Sequence, residues 1–107
     1  MINVSIFYPN VEGSRFDLDY YLNQHMPMTL EKLSPALKRV SVEHGLGGAF
    51  PGTAPEFAAI CHLYFDSVEA FLTAFGPHAA ELQGDIPNYT DVRPIIQYSE
   101  VKISQSS

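Results

Sequence analysis

The sequence holds a single cysteine, Cys61, and no tryptophan. One thiol cannot form an intrachain disulfide, so the fold cannot rest on a disulfide framework, and the count suits a reducing compartment. Cys61 sits in the apolar run FAAICHLYF, which predicts a buried thiol rather than a nucleophile. Basic residues are also scarce: 6 Lys and Arg stand against 12 Asp and Glu, a net charge of -6. An acidic chain without a basic cluster is repelled by phosphate backbones and anionic headgroups, which argues against nucleic-acid and membrane-surface binding. No apolar stretch reaches the length of a membrane span, and MINVSIFYP lacks the basic start and long apolar core of a signal peptide. Together these absences predict a cytoplasmic protein.

Motifs of common chemistries are missing too. There is no G-x-S-x-G, no Gly-rich dinucleotide loop, and no phosphate-loop lysine after GLGGAFPGTAP. None of the four histidines has a zinc-like local spacing to a cysteine or another histidine. The expectation is no bound organic cofactor and no local metal motif, although distant histidines could still assemble a metal site.

The chain has 107 residues, 46% of them hydrophobic, which fits one globular domain over 1–107 with a frayed SQSS tail from about residue 104. A chain of this length buries roughly two thirds of its unfolded surface. Ile2, Val4, Ile6 and Tyr8 alternate with Asn3, Ser5 and Phe7, the period-two pattern of a strand. Asp17 is placed to cap a helix that runs to about Gln24, is interrupted near Pro27 and resumes through Leu30, Leu33 and Leu37. Period two returns from Arg39. GLGGAFPGTAP then reads as a hairpin connection to a third strand, Phe57 to Phe65. Asp66 or Ser67 caps a second helix with its apolar stripe on Val68, Phe71, Leu72, Phe75, Ala79 and Leu82, kinked at Gly76-Pro77 and ended by Gly84. A last strand is expected from Ile95 to about Ile103.

The order strand, helix, strand, strand, helix, strand predicts an α+β, ferredoxin-like βαββαβ domain. Its four-stranded antiparallel sheet would carry both helices on one face. Ala58, Ile60, His62 and Tyr64 in the third strand, and Val40, Val42, His44 and Leu46 in the second, are assigned to the uncovered face. That face is too apolar for open solvent. A second copy laid against it would close a dimeric α+β barrel around a small cavity.

With no nucleophile motif present, the chemistry expected is proton transfer, dehydration or oxidation of a reactive substrate. A histidine near neutral pKa in an apolar pocket is the natural acid or base. His25 stands out because it lies two positions before Pro27, at the expected helix break, where its ring can turn into a cleft. It could equally satisfy backbone carbonyls freed by the break. His44 and His62 share strand faces with apolar residues, whereas His78 beside Pro77 is expected to be solvated. Tyr20, Tyr21 and Tyr64 suit either core packing or a pocket for a flat molecule.

FDLDYYLNQHMPM resembles the helix signature of the EthD family, small proteins named for an ether-degradation gene cluster, at Phe16, Asp17, Tyr20, Tyr21, His25, Pro27 and Met28. GDIPNYTDVRPIIQYSEV resembles a second family stretch at Asp85, Pro87, Asn88, Tyr89, Pro94, Gln97 and Glu100, and LYFDSVEAF resembles the family's strand-to-helix junction. The resemblance implies a homodimeric α+β barrel with a cleft between the first helix and the inner sheet face. His25 would lie at its rim. Relatives on this barrel include cofactor-free monooxygenases, isomerases and dehydratases. The expected function is therefore catalysis on a small hydrophobic, oxygenated molecule, with His25 as acid or base and Tyr21, Tyr64 and Gln97 lining the pocket; His44 and His62, which lie outside the signature, join that lining on strand parity alone. The alternative is a non-catalytic accessory that binds an intermediate for a partner oxygenase.

Overall fold

Alternation and capping in this sequence produce the elements expected of them. The computed structural model describes residues 1–105, so the expectation of a frayed tail lies partly outside the described residues. Strands β1 (Ile2–Pro9), β2 (Arg39–His44), β3 (Phe57–Phe65) and β4 (Ile95–Glu100) form one sheet in the order β2-β3-β1-β4. All three neighbouring pairs are antiparallel. The last strand stops at Glu100 rather than Ile103, although the Val101 N–H still donates to the Met1 carbonyl at 3.0 Å.

Two helical layers cover one face. The first comprises α-helical Leu18–Tyr20, a π-helical turn at Tyr21–His25 and α-helical Met26–Leu33. Asp17 caps it, accepting from the Tyr20 N–H at 3.0 Å. The expected interruption near Pro27 is corrected here: the helix continues through the proline. Pro27 has no N–H to give, and its ring crowds the preceding turn. The wider π turn before it accommodates both, because Met26 already bonds five residues back to the Tyr21 carbonyl. In the second layer Ser67 is the cap, accepting from the Ala70 N–H at 3.0 Å. There Val68–Phe75 passes through a 3-10 turn at Gly76–His78 into Ala79–Gly84, so Gly76-Pro77 tightens the helix where a kink was expected.

The core lies between these layers and the sheet. Val4 and Tyr8 of β1 and Ala59, Cys61, Leu63 and Phe65 of β3 are buried against Tyr21, Leu33, Phe71, Leu82 and Tyr89. Each large apolar side chain so buried contributes about 1.5–3 kcal/mol. The register corrects one assignment. Val40, Val42 and His44 pair with Leu63, Cys61 and Ala59, which places them on the helix-covered side, not the open one. Leu46 lies beyond β2 in the loop and is 95% exposed. Alternation groups residues within a strand. Only pairing decides which group in one strand meets which in the next. The open face carries Asn3, Ser5 and Phe7 of β1, Ile60, His62 and Tyr64 of β3, and Gln97 of β4.

Candidate active site

The two ends of the site come from stretches distant in sequence, fastened together by backbone and side chain. Phe16 and Thr90 form a β-bridge, and the Asp17 N–H donates to the Tyr89 carbonyl at 2.7 Å. The Thr90 hydroxyl donates to the Arg15 carbonyl at 2.7 Å, and the Arg15 N–H donates to Asp91 Oδ1 at 2.9 Å. These ties hold the start of the first helix against the 3-10 turn Ile86–Asn88 and the residues beside it.

His25 closes the π turn and is only 7% exposed. Its ring stacks on Tyr21, with centroids 5.4 Å apart and planes 17° from parallel, and tilts at 52° against Tyr89 at 4.7 Å. Nδ1 lies 2.9 Å from Asp85 Oδ2. The other oxygen, Oδ1, accepts from the Tyr20 hydroxyl at 2.7 Å and from Asn88 Nδ2 at 2.9 Å. The hydrogen bond of the imidazole thus goes to a carboxylate rather than to a freed helix carbonyl.

Electrostatics assign the protons. Burial lowers the His25 pKa more strongly than the hydrogen bond and charge of Asp85 raise it, so the imidazole is held below its ordinary value. Burial works to raise Asp85, but the hydrogen bonds from Tyr20, Asn88 and His25, with the pull of the imidazole, together hold its carboxyl below the usual range. The contact is short enough for an ion pair. With both groups held below their ordinary values, His25 is neutral beside ionised Asp85 at neutral pH. Nδ1–H then donates to the carboxylate, and Nε2 keeps its lone pair.

His25 lines a cavity of about 200 Å³ between the helices and the sheet. Leu33, Leu63, Phe71, Phe75, Leu82 and Ile96 make most of its wall apolar. The polar groups are few and mostly engaged: the Thr29 hydroxyl donates to the His25 carbonyl at 2.9 Å, and the Tyr8 and Tyr89 hydroxyls bond each other at 2.8 Å. Gln83 and Tyr98 lie on its exposed side. The wall thus combines an apolar lining with one imidazole nitrogen, Nε2 of His25, that no described residue engages.

Of the residues singled out in the sequence, His25 and Tyr21 come together here, Tyr21 as the fully buried support of the imidazole. His44 is exposed at the end of edge strand β2 and does not line the cavity. His62, Tyr64 and Gln97 lie on the opposite sheet face. There His62 Nδ1 meets Asn3 Nδ2 at 3.0 Å and Ser5 Oγ at 3.2 Å, and its Nε2 meets Glu43 Oε1 at 3.2 Å. The Arg39 guanidinium lies 5.1 Å above the Tyr64 ring, and Gln97 donates to Ser99 at 3.1 Å. Sequence reasoning did not give Asp85, Tyr8, Thr29 or Tyr89 a place in the site. The signal for Asp85 and Tyr89 was their presence in the GDIPNYTDVRP stretch, whose role emerges only when it meets the first helix.

Among the described residues, no three His, Cys, Asp or Glu side chains form a group that could hold a metal, and no helix is long and apolar enough to cross a membrane. No curated protein matches the chain. The EthD domain model matches residues 14–93, which include both halves of the site. The structure is similar to that of an EthD-like protein from Ralstonia eutropha JMP134, at 46% identity over 98% of this chain and 95% of that one, with a TM-score of 0.94. An ethyl tert-butyl ether degradation (EthD) family protein from Bacillus halodurans C-125 shares the fold at 20% identity, 94% and 98% coverage and a TM-score of 0.65. HapK from Hahella chejuensis shares it at 12% identity, 98% coverage of both chains and a TM-score of 0.54. With the family signature spanning the first helix and the turn that supplies Asp85, the chain belongs to the EthD family.

Proposed function

We propose that the protein is an enzyme that moves a proton on a small hydrocarbon-rich molecule bearing a carbonyl oxygen. The observation that carries this reading is the Asp85-held His25 in the wall of an otherwise apolar cavity. Nε2 of His25 takes a proton from the carbon beside the carbonyl. The C–H electron pair becomes the carbon–carbon double bond of an enolate, and the carbonyl π pair moves onto oxygen. Where the molecule carries a double bond beyond the α carbon, return of the proton from Nε2 to the far end of the conjugated enolate isomerises it. Where it carries a β-hydroxyl, the enolate expels that oxygen, which takes the proton from Nε2 and leaves as water. Neither outcome needs a co-reactant, and the apolar lining strengthens each electrostatic contact along the way.

The working unit in this reading is a homodimer. Phe7, Ile60 and Ile95 share the open sheet face with the Asn3, Ser5 and His62 cluster, and Ser5 is already buried within one chain. A second copy over this face would cover the apolar residues and leave the cavity by His25 on the outer side of the sheet. His62, Tyr64 and Gln97 then belong to the contact between copies.

Deuterium exchange tests the enzymatic reading. The protein is incubated in D2O with a panel of small aryl ketones and cyclic diketones, and loss of the α-proton signal is followed by NMR. Wild type is expected to accelerate exchange of at least one compound, and His25→Gln to abolish the acceleration. Binding without exchange across the panel would overturn the enzymatic reading in favour of a carrier.

A further inference from the structure

Two sets of exposed apolar side chains lie at opposite edges of the sheet. One is on the connection between β2 and β3, which is a hydrogen-bonded arm. The Gly45 N–H donates to the Ala58 carbonyl at 2.9 Å, and the Gly48 N–H to the Thr53 carbonyl at 3.0 Å. A side-chain carbon on Gly45 would run into the Phe57 carbonyl, and one on Gly48 into Thr53, so glycine lets the two legs pack together. Residues 46–54 of this arm are all exposed, and none from Gly45 to Pro55 is charged. Leu46 is 95% and Phe50 76% exposed. A built arm that holds apolar side chains out to water is the mark of a contact surface.

The other set is the mouth of the cavity by His25. Leu72, Ile96 and Tyr98 line the cavity and are each about half exposed. Ile96 and Tyr98 belong to β4, at the far edge of the sheet from β2. Within one chain neither set covers the other.

We infer that in the homodimer the arm of each copy closes the cavity mouth of the other, with Phe50 packed on the partner's Ile96. This rests on the homodimer reading. The open sheet face alone is small for a stable pair. Four strands about 4.8 Å apart and about 20 Å long present roughly 400 Å², where a stable interface takes about 800 Å² from each partner. The arm adds apolar area at the border of that face, and symmetry sets where it goes. A two-fold axis across the strands puts like edges together, β2 on β2 and β4 on β4, and leaves arm and mouth apart. An axis along the strands puts the β2 edge of each copy beside β4 of the other, so the contact is made twice. The ends of the strands agree. Phe7 pairs with both Ile60 and Ile95, and His44 pairs with Ala59, so the arm rises from the end of the sheet where β4 begins. Each cavity is then walled by one chain and closed by the other.

Cross-linking tests the placement. Phe50→Cys chains are mixed with separately tagged Ile96→Cys chains, re-equilibrated and treated with a short bismaleimide; the native Cys61 is only 1% exposed. The mixture is expected to give a covalent dimer carrying both tags. Cross-linking of Phe50→Cys chains to each other would put like edges together and overturn the proposal. A dimer in sedimentation that gives no mixed cross-link would overturn it while the homodimer reading stands, and a monomeric wild type would overturn both. Phe50→Ser changes an exposed position that folding does not use, and it gives an independent reading. Each arm that loses its apolar anchor should weaken association about tenfold, so the dimer should loosen roughly 10²-fold. A Phe50→Ser dimer as tight as wild type would overturn the proposal.

Discussion

His25 and Asp85 are 60 positions apart in the chain, yet Nδ1 of one lies 2.9 Å from Oδ2 of the other. In the proposed reading, neither residue alone would make a base in this cavity. The carboxylate fixes which imidazole nitrogen carries the proton, and burial keeps the ring neutral. Tyr20 and Asn88 fix the carboxylate in turn. Orientation by a carboxylate in this manner is the logic that makes a histidine an effective general base.

Replacing His25 with Gln keeps a donor for Asp85 and a similar volume but cannot accept and release a proton near neutral pH. Exchange of the ketone α-proton should fall by about 10²- to 10⁴-fold, while the melting temperature changes little. A variant with full exchange activity would remove His25 from the chemistry. A strongly lowered melting temperature with the activity intact would make it a structural residue only.

Asp85→Asn tests positioning. It removes the charge that draws the His25 pKa upward, so burial acts with less opposition and the imidazole pKa falls further. The acid limb of the pH–rate profile should therefore move to lower pH, alongside a drop in rate of roughly 10²-fold or more from loss of orientation. Asp85 acting only as a structural brace would leave that limb in place.

Stability should carry the same signature. Burial holds His25 below its unfolded pKa of about 6.5. Between the two values the unfolded chain binds the extra proton, so stability rises with pH through this window and is complete above it. Asp85, held low, contributes stability above the usual carboxyl range that is lost as pH falls through its lowered value. Urea midpoints measured from about pH 4 to about pH 8 should fall on acidification. His25→Gln should flatten the upper part of that fall and leave the lower part. Parallel curves for the two proteins would contradict the lowered pKa of His25.

Ile60 lies on the sheet face opposite the helices. Ile60→Glu would place a charge where two copies are proposed to meet, which costs several kcal/mol when it is buried unpaired, by order of magnitude. Sedimentation should show a dimer for wild type at micromolar concentration and a folded monomer for the variant. A wild-type monomer would overturn the dimer.

Much of this was legible in the chain. The four strands, the two helical layers and the Asp17 and Ser67 caps follow from short-range patterns, which are set by neighbours a few residues away. His25 was visible because a histidine so near a proline is out of place on a helix face. The π turn was not visible, because it arises when the proline is accommodated within a helix that packing keeps whole. Asp85 and Tyr89 had no local signal as partners of His25, since loop closure and the Phe16–Thr90 bridge bring them there. The face of Val42 and His44 was misassigned because alternation carries no register. His62 and Tyr64 were correctly grouped with each other, but on the far side of the sheet from His25.

The central claim is that His25 offers a lone pair on Nε2 to the cavity, and nitrogen-15 NMR of the imidazole at neutral pH reads this directly. A neutral ring protonated on Nδ1, with Nε2 bare, is the predicted result. An imidazolium, or a neutral ring protonated on Nε2, would leave nothing to accept the proton and would contradict the account.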